Sequence, residues 1–513
     1  MFGKSIESSE KVSDQISITD LEEIKDPVKS HDNLARNFKE RHVSMLTLAL
    51  AIGTGLIIGS GTALKRGGTI SIFLAYCFTG SLLLVVIFSL AEMASFLPMQ
   101  KGFSGYCTKY VDPAIGFAAG WNYFFKYAIV LSANLTAAGL VIQFWRDDLN
   151  VAIWISVLYV LVIASNYFSV RIYGEIEYWL AASKLLVLVI IFIVCIVITC
   201  GGTPNHETIG FRFWRETGFL PYLVDGKKGQ FLGWWACVIQ SIFGFVGSEM
   251  VGIIFGEAPN PKKTIPKASR QVIFRICFFY IFGVFLLGLA VSPKNPLLVN
   301  ANGTNANASP YVIAIKSSGI KVLPSFINAC LLIFISSSAN TDLYICSRQI
   351  YGLAKDGAAP KIFLKLNSFD VPFIGCSFAA LFGLLAYMNT KESAAEVFGY
   401  ITSTVSVFGI INWIYILVAY IGYHRSIKAQ NIGREEIPFR MWFQPYTSYG
   451  ALFLIAIVTM FNGYSAFITS FDYELFVTSY IGIAVNIFLI LGYKVFYKTK
   501  PIQPLEVDLN TPY

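Results

Sequence analysis

Four ionisable residues stand inside stretches that are otherwise apolar: Lys126, Lys184, Glu249 and Asp342. A charge at the centre of a bilayer costs about 2.5–3.5 kcal/mol on insertion scales, so such residues default to function: substrate or proton sites that face an interior cavity. A buried ion pair is the structural alternative for all four. Glu92 and Arg348 lie nearer the ends of apolar stretches, where interfacial snorkelling accounts for them.

Chemistry without side chains is suggested by glycine. The stretch 46–64 is long and apolar enough to cross a bilayer, yet it contains Gly53, Gly55, Gly59 and Gly61. Gly53-Thr54-Gly55 lets a helix unwind at mid-membrane depth, and unwound backbone is tolerated there only where it is buried or lines a cavity. Freed N–H groups suit a carboxylate and freed carbonyls suit an ammonium, so a zwitterion such as an amino acid fits both. Close helix packing through small residues explains the same glycines without any ligand. A second glycine-interrupted stretch, 231–255, contains Phe243-Gly-Phe245-Val-Gly247-Ser248-Glu249 and comes five apolar stretches after the first. Broken helices at corresponding positions of two halves point to an inverted-repeat transporter.

The elements that must position these residues follow from composition. The 513 residues are 55% hydrophobic and 14% charged, with mean hydropathy +0.60, which excludes a soluble multidomain protein. About twelve apolar stretches have the length of membrane helices. They lie near 46–64, 70–97, 115–145, 151–169, 178–200, 231–255, 271–292, 322–346, 372–389, 396–422, 447–469 and 473–497. The chain is therefore expected to be an all-α membrane protein of twelve transmembrane helices, with repeats over about 46–200 and 231–422 and extra helices over 447–497. A transporter domain over 43–500 lies between a polar, disordered N-terminal tail, 1–42, and a short C-terminal tail, 501–513.

The formal charge of +8 is scattered, which suits loops facing anionic lipid and argues against nucleic acid. The basic loop Glu257–Arg270 falls inside if both termini are cytoplasmic. That orientation puts 293–321 outside, where Asn302 and Asn307 head glycosylation sequons. Nine cysteines form no CxxC pair and four histidines are dispersed, so neither a metal site nor a disulfide framework is indicated. No Walker A, HExxH or GxSxG pattern supports an enzyme, and no cofactor is called for.

Three longer segments carry a family resemblance. Gly116-Phe-Ala-Ala-Gly-Trp-Asn122, the run from Gly256 to Lys267, and the run from Ser347 to Lys361 resemble the signature segments of fungal amino-acid permeases in the amino acid–polyamine–organocation superfamily. The runs from Gly202 to Trp214, from Ser309 to Cys330 and from Tyr493 to Leu509 resemble the dicarboxylic branch of that family, the glutamate and aspartate importers. The resemblance implies a LeuT-type fold with helices 1 and 6 broken, proton-coupled import across the plasma membrane, and ubiquitin-ligase adaptors as candidate partners of the N-terminal tail. Lys184 resembles the fifth-helix lysine of proton-coupled relatives. It is the expected proton-coupling residue, with Glu249 second.

The expected substrate contacts are main-chain groups of Ala51, Ile52, Gly53, Thr54, Gly55, Phe243 and Phe245, together with Ser248. Thr54 and Gly55 N–H groups take the α-carboxylate, and the carbonyls near Ala51, Ile52, Phe243 and Phe245 take the ammonium. The phenyl rings of Phe243 and Phe245 are candidate gates. Many relatives carry Glu where this chain has Asn134, and its neutral amide removes a repulsion against an acidic side chain. Lys126, two helical turns earlier, either attracts that side chain or balances Asp342. Asp342 itself is remote from the cavity, protonated, or paired with a cation. A broad or neutral amino-acid permease and a non-transporting sensor are the competing functions.

Overall fold

A computed structural model describes residues 53–99, 101–146, 148–168, 170–250, 261–299, 309–390, 394–468 and 470–509. The N-terminal tail, Ala51, Ile52, Asn302 and Asn307 lie outside the described residues.

All regular structure among the described residues is helical. Eight helices are long and apolar enough to cross a membrane, and three shorter apolar helices accompany them. The first apolar stretch continues into the described residues as a π-helical turn, Gly55–Gly59, followed by α1, Ser60–Gly67. Next come α2, Thr69–Phe96; α3, Gly102–Tyr110; α4, Pro113–Ile142; α5, Val151–Asn166; and α6, Val170–Thr199. After a polar loop follow α7, Gly226–Phe245; α8, Pro261–Arg275; and α9, Gly283–Ala290, the last two joined by a π-helical turn, Ile276–Phe282. The chain closes with α10, Leu323–Lys355; α11, Phe373–Gly383; α12, Ala394–Ala429; α13, Tyr446–Met460; and α14, Tyr473–Tyr497.

Burial separates the centre from the periphery. The apolar window of α4 is 83% buried and that of α14 only 17%, so α4 is a central post and α14 faces lipid. α4 packs most extensively on α10 and then on α12. Its start is set by Asp112, whose side chain accepts from the Ala114 N–H (2.8 Å), with Pro113 at the first helical position. Polar side chains join the central helices: Asn122 of α4 donates to Asn412 of α12 (2.8 Å), and Tyr415 donates to Asn486 of α14 (2.7 Å).

Two expectations are revised here. The basic stretch before the seventh apolar segment is helical over Pro261–Arg275, so helix already runs through the ten residues before the expected 271. Glu92 is no snorkelling side chain: it is fully buried, accepting from the Tyr420 hydroxyl (2.9 Å), Arg434 (3.3 Å) and the Met441 N–H (3.1 Å). The C-terminal segment is packed onto the protein, with the Ile502 N–H donating to Val111 O (2.9 Å) and Gln430 donating to Val507 O (2.7 Å).

Candidate functional site

The glycines of the first stretch divide between close packing and the lining of a cavity. A Cβ on Gly55 would lie 2.5 Å from the Phe243 carbonyl oxygen and 2.6 Å from the Gly244 Cα. On Gly67 it would lie 2.4 Å from Cys237 Sγ. One face of this segment therefore lies backbone to backbone against α7. Gly53, in contrast, has nothing within 4 Å of its Cβ position and lines a cavity.

The region of Gly53 to Gly55 is only partly unwound. Gly53 is a bend, whereas Thr54 is already helical in φ and ψ and Gly55 opens the π-helical turn. Thr54 stands at the N-cap position, yet its hydroxyl does not cap the helix; it donates to Asn134 Oδ1 (2.9 Å). No side chain caps this turn, and Gly53, Thr54 and Gly55 line the cavity.

The break in α7 is clearer. The Val246 N–H makes the last regular bond, to Ile242 O (3.0 Å). Val246 then turns extended (ψ 134°), and Gly247 has φ +96°, a conformation that glycine adopts without steric cost. The Gly247 N–H leaves the helical ladder and donates to Glu249 Oε2 (3.2 Å). Glu249 is in turn ion-paired with Lys126 of α4, both side chains fully buried. Lys126 Nζ also sits 3.8 Å above the Tyr127 ring and 4.7 Å above that of Tyr123.

This geometry corrects the roles expected of two residues. Lys126 lies outside the cavity lining, and its direct ion pair is with Glu249 and not with Asp342; through Glu249 it bears on the break in α7. Glu249 is occupied by that pair, which is the structural alternative raised for it. Phe245 is also displaced from its expected role. It is fully buried, stacked on Tyr280 (4.6 Å) and tilted against Tyr76 (5.5 Å), so its ring belongs to the core. Phe243 does line the cavity, edge-on to Phe398 (5.9 Å). Ser248 is buried in a short 3-10 turn, Ser248–Met250, and lies outside the lining.

Thr54, Gly55, Asn134, Lys184, Phe243 and Asp342 all border this one cavity. Asn134 is its hinge-point: its Oδ1 accepts from Thr54, and its Nδ2 donates to Asp342 Oδ2 (2.6 Å). The amide therefore does not free the cavity of carboxylate, as its neutral charge suggested, because α10 supplies one through Asp342. Lys184 is 3.6 Å from Glu177, one residue short of the expected span and two turns earlier on α6. Glu177 Oε1 also accepts from Ser337 of α10 (2.7 Å).

Sequence reasoning passed over Glu177, Tyr127 and Thr341. The i, i+7 spacing of Glu177 and Lys184 was the available signal for the first. Tyr127 and Thr341, both lining the cavity, carry no signal that separates them from packing residues. Among the described residues no cluster of His, Cys, Asp and Glu could hold a metal ion.

Comparison with known proteins agrees with this architecture. A manganese transporter of Eremococcus coleocola superposes with a TM-score of 0.56 at 10% identity, covering 89% of this chain and 94% of that one, a likeness of fold. An uncharacterized amino-acid permease of Schizosaccharomyces pombe is 56% identical over 93% of this chain and 92% of its own length. The dicarboxylic amino acid permease of Saccharomyces cerevisiae is 42% identical over 95% of this chain and 81% of its own length. A proline-specific permease of Emericella nidulans is 36% identical over 99% and 94%. The family described as Amino acid permease matches residues 42–505. With a cavity set between two interrupted helices and a family match along nearly its whole length, the chain belongs to the amino acid permease family, a family of membrane transporters and not of enzymes.

Proposed function

We propose that the chain is a proton-coupled permease that imports acidic amino acids such as glutamate and aspartate across the plasma membrane. Its architecture in this reading is twelve transmembrane helices in a LeuT-type 5+5 inverted repeat, with both termini cytoplasmic. The observation that carries it is the meeting of two interrupted helices at one cavity: the uncapped turn at Thr54 and Gly55 against the end of α7 at Phe243 and Gly244.

The α-carboxylate of the substrate is taken by the Thr54 and Gly55 N–H groups, and its ammonium by main-chain carbonyls at the end of α7 and at Ala51 and Ile52. Lys184 borders the same cavity and gives an acidic side chain a cation to approach. The similarity to a dicarboxylic amino acid permease supports that side-chain class. Lys184, with Glu177 as its counter-ion, is the proposed proton-coupling residue: a lysine in low dielectric can hand on its proton as the site alternates between the two sides.

A broad or neutral amino-acid permease is the second reading, and Asp342 favours it. Two carboxylates ~4 Å apart repel by about 4 kcal/mol at an effective dielectric near 20, so an ionised Asp342 would disfavour glutamate.

Uptake of radiolabelled glutamate into permease-deficient yeast expressing the chain, at acidic and neutral pH, separates these. Stronger uptake at acidic pH, blocked by excess aspartate and not by leucine or lysine, is the expected result. Equal competition by leucine would replace the acidic reading with the broad one. No uptake of any amino acid by protein located at the cell surface would favour a sensor.

A further inference from the structure

We propose that Asp342 bears a proton when an acidic amino acid is bound and donates it as a hydrogen bond to the substrate's side-chain carboxylate, so that an acidic substrate moves with one proton more than a neutral one. This rests on the acidic-substrate reading above and adds to it the group that makes that substrate tolerable.

The starting point is the charge balance of the cavity and its surroundings. Lys126 is paired with Glu249, and Lys184 with Glu177. Asp342 is buried in the middle of α10 and lines the cavity, but among the described residues no lysine, arginine or histidine nitrogen lies within ion-pair distance of it. Its polar contact is neutral, the Asn134 amide. Of the three alternatives open from the sequence, the geometry sets aside remoteness from the cavity and a direct ion pair, and a second carboxylate entering the cavity then favours the third, protonation of Asp342 on binding.

The other groups facing Asp342 do not alter this balance. From α4 come Lys126, already neutralised, and the phenols of Tyr123 and Tyr127. From α6 come Lys184 and Glu177, already paired, with Glu175 further along the same helix. Cys346 is its neighbour on α10, with Cys376 of α11 beyond it. α5 and α11 carry no charged residue. Lys316 and Lys361, on the short helices packed at the ends of α10, are exposed to the surroundings.

Hydrogen-bond direction then fixes which oxygen can take the proton. The Thr54 hydroxyl donates to Asn134 Oδ1, so the amide must present its NH2 to Asp342. Asp342 Oδ2 accepts that N–H, and Oδ1 is left to carry the proton. With the proton in place Asp342 becomes a donor instead of a second anion, and the substrate carboxylate is the acceptor. The proton arrives from the side to which the cavity is open and leaves with the substrate on the other; no covalent bond is made or broken. A neutral side chain presents no such carboxylate and needs no proton at Asp342.

The test is glutamate binding to the purified full-length chain, with proton uptake followed in weakly buffered solution from about pH 5.5 to about pH 8.5. Wild-type protein is expected to take up one proton more per glutamate bound than Asp342→Asn does, and its dissociation constant should rise up to about tenfold per pH unit at the alkaline end. In Asp342→Asn the amide still accepts from Asn134 and offers its own N–H to the substrate, so binding should persist with a flatter pH dependence. Asp342→Glu should keep the proton.

Equal proton uptake by wild type and Asp342→Asn would overturn the proposal, as would loss of glutamate binding in Asp342→Asn while Asp342→Glu binds. If Asp342→Asn does not fold, the wild-type count decides alone: no proton taken up at any pH sinks the idea. These outcomes leave the acidic-substrate reading standing. Wild-type protein that binds leucine or proline and not glutamate defeats that reading, and this proposal with it.

Discussion

At the scale of single residues, the buried charges divide by what they touch. Lys126 and Glu249 are closed off in their own pair, and the Glu249 carboxylate spends its other oxygen on the Gly247 N–H. Removing one partner of a buried pair leaves a charge without compensation and typically costs about 3–5 kcal/mol. Lys126→Gln should therefore lower the thermal unfolding temperature of the detergent-purified chain markedly. The double variant Lys126→Gln, Glu249→Gln should recover part of that loss, because two neutral amides can bond to each other. If Lys126 instead held the substrate, the double variant would be no more stable than the single one and the loss would appear in the KM for transport. Lys184 lies on the other side of this division, since it borders the cavity. Lys184→Gln should abolish accumulation against a gradient while leaving exchange of substrate between the two sides measurable in loaded vesicles.

At the scale of elements, the site depends on two helices that are interrupted in different ways. In α7 the break is a change of backbone: Val246 extends and Gly247 turns to φ +96°. Holding a residue with a Cβ in a left-handed conformation costs about 1–2 kcal/mol. Gly247→Ala is accordingly expected to shift unfolding by that amount and to raise the KM, because the end of α7 moves; an unchanged KM would mean that the break does not position substrate. In the first stretch, the π-helical turn and α1 are pressed against α7 through glycine. Gly55→Ala brings a methyl 2.5 Å from the Phe243 carbonyl oxygen, where backbone and not a flexible side chain must yield. It should abolish uptake while Gly53→Ala, at a position with nothing within 4 Å, retains it.

At the scale of the whole molecule, α4 is the post on which the other central helices are assembled, and polar contacts join distant parts of the chain around it. One of these lies away from the cavity: Glu92 ties α2 to α12 and to the segment leading into α13 through Tyr420, Arg434 and the Met441 N–H. Leaving buried donors with a weaker acceptor costs about 1–3 kcal/mol. Glu92→Gln should destabilise the chain by that order in thermal unfolding and leave the substrate KM unchanged, since Glu92 does not border the cavity. A large KM change would place the segment between α12 and α13 in the transport cycle.

The sequence by itself determined the helical membrane class and the places where helices are interrupted, and it singled out the buried charges. These are local properties: apolar length, glycine spacing and the high cost of a charge in hydrocarbon mark them wherever the chain goes. It also singled out Thr54, Asn134, Lys184 and Phe243, which the structure brings to one cavity. Which charge meets which was decided only by the tertiary structure. Lys126 and Glu249 are 123 residues apart and Asn134 and Asp342 are 208 apart, so no periodicity along the chain could assign them. Two turns separate Lys126 from Asn134 on α4, yet one side chain closes an ion pair and the other lines the cavity. Ion-pair choice depends on distance and on the absence of water, and both are set by how α4, α7 and α10 pack.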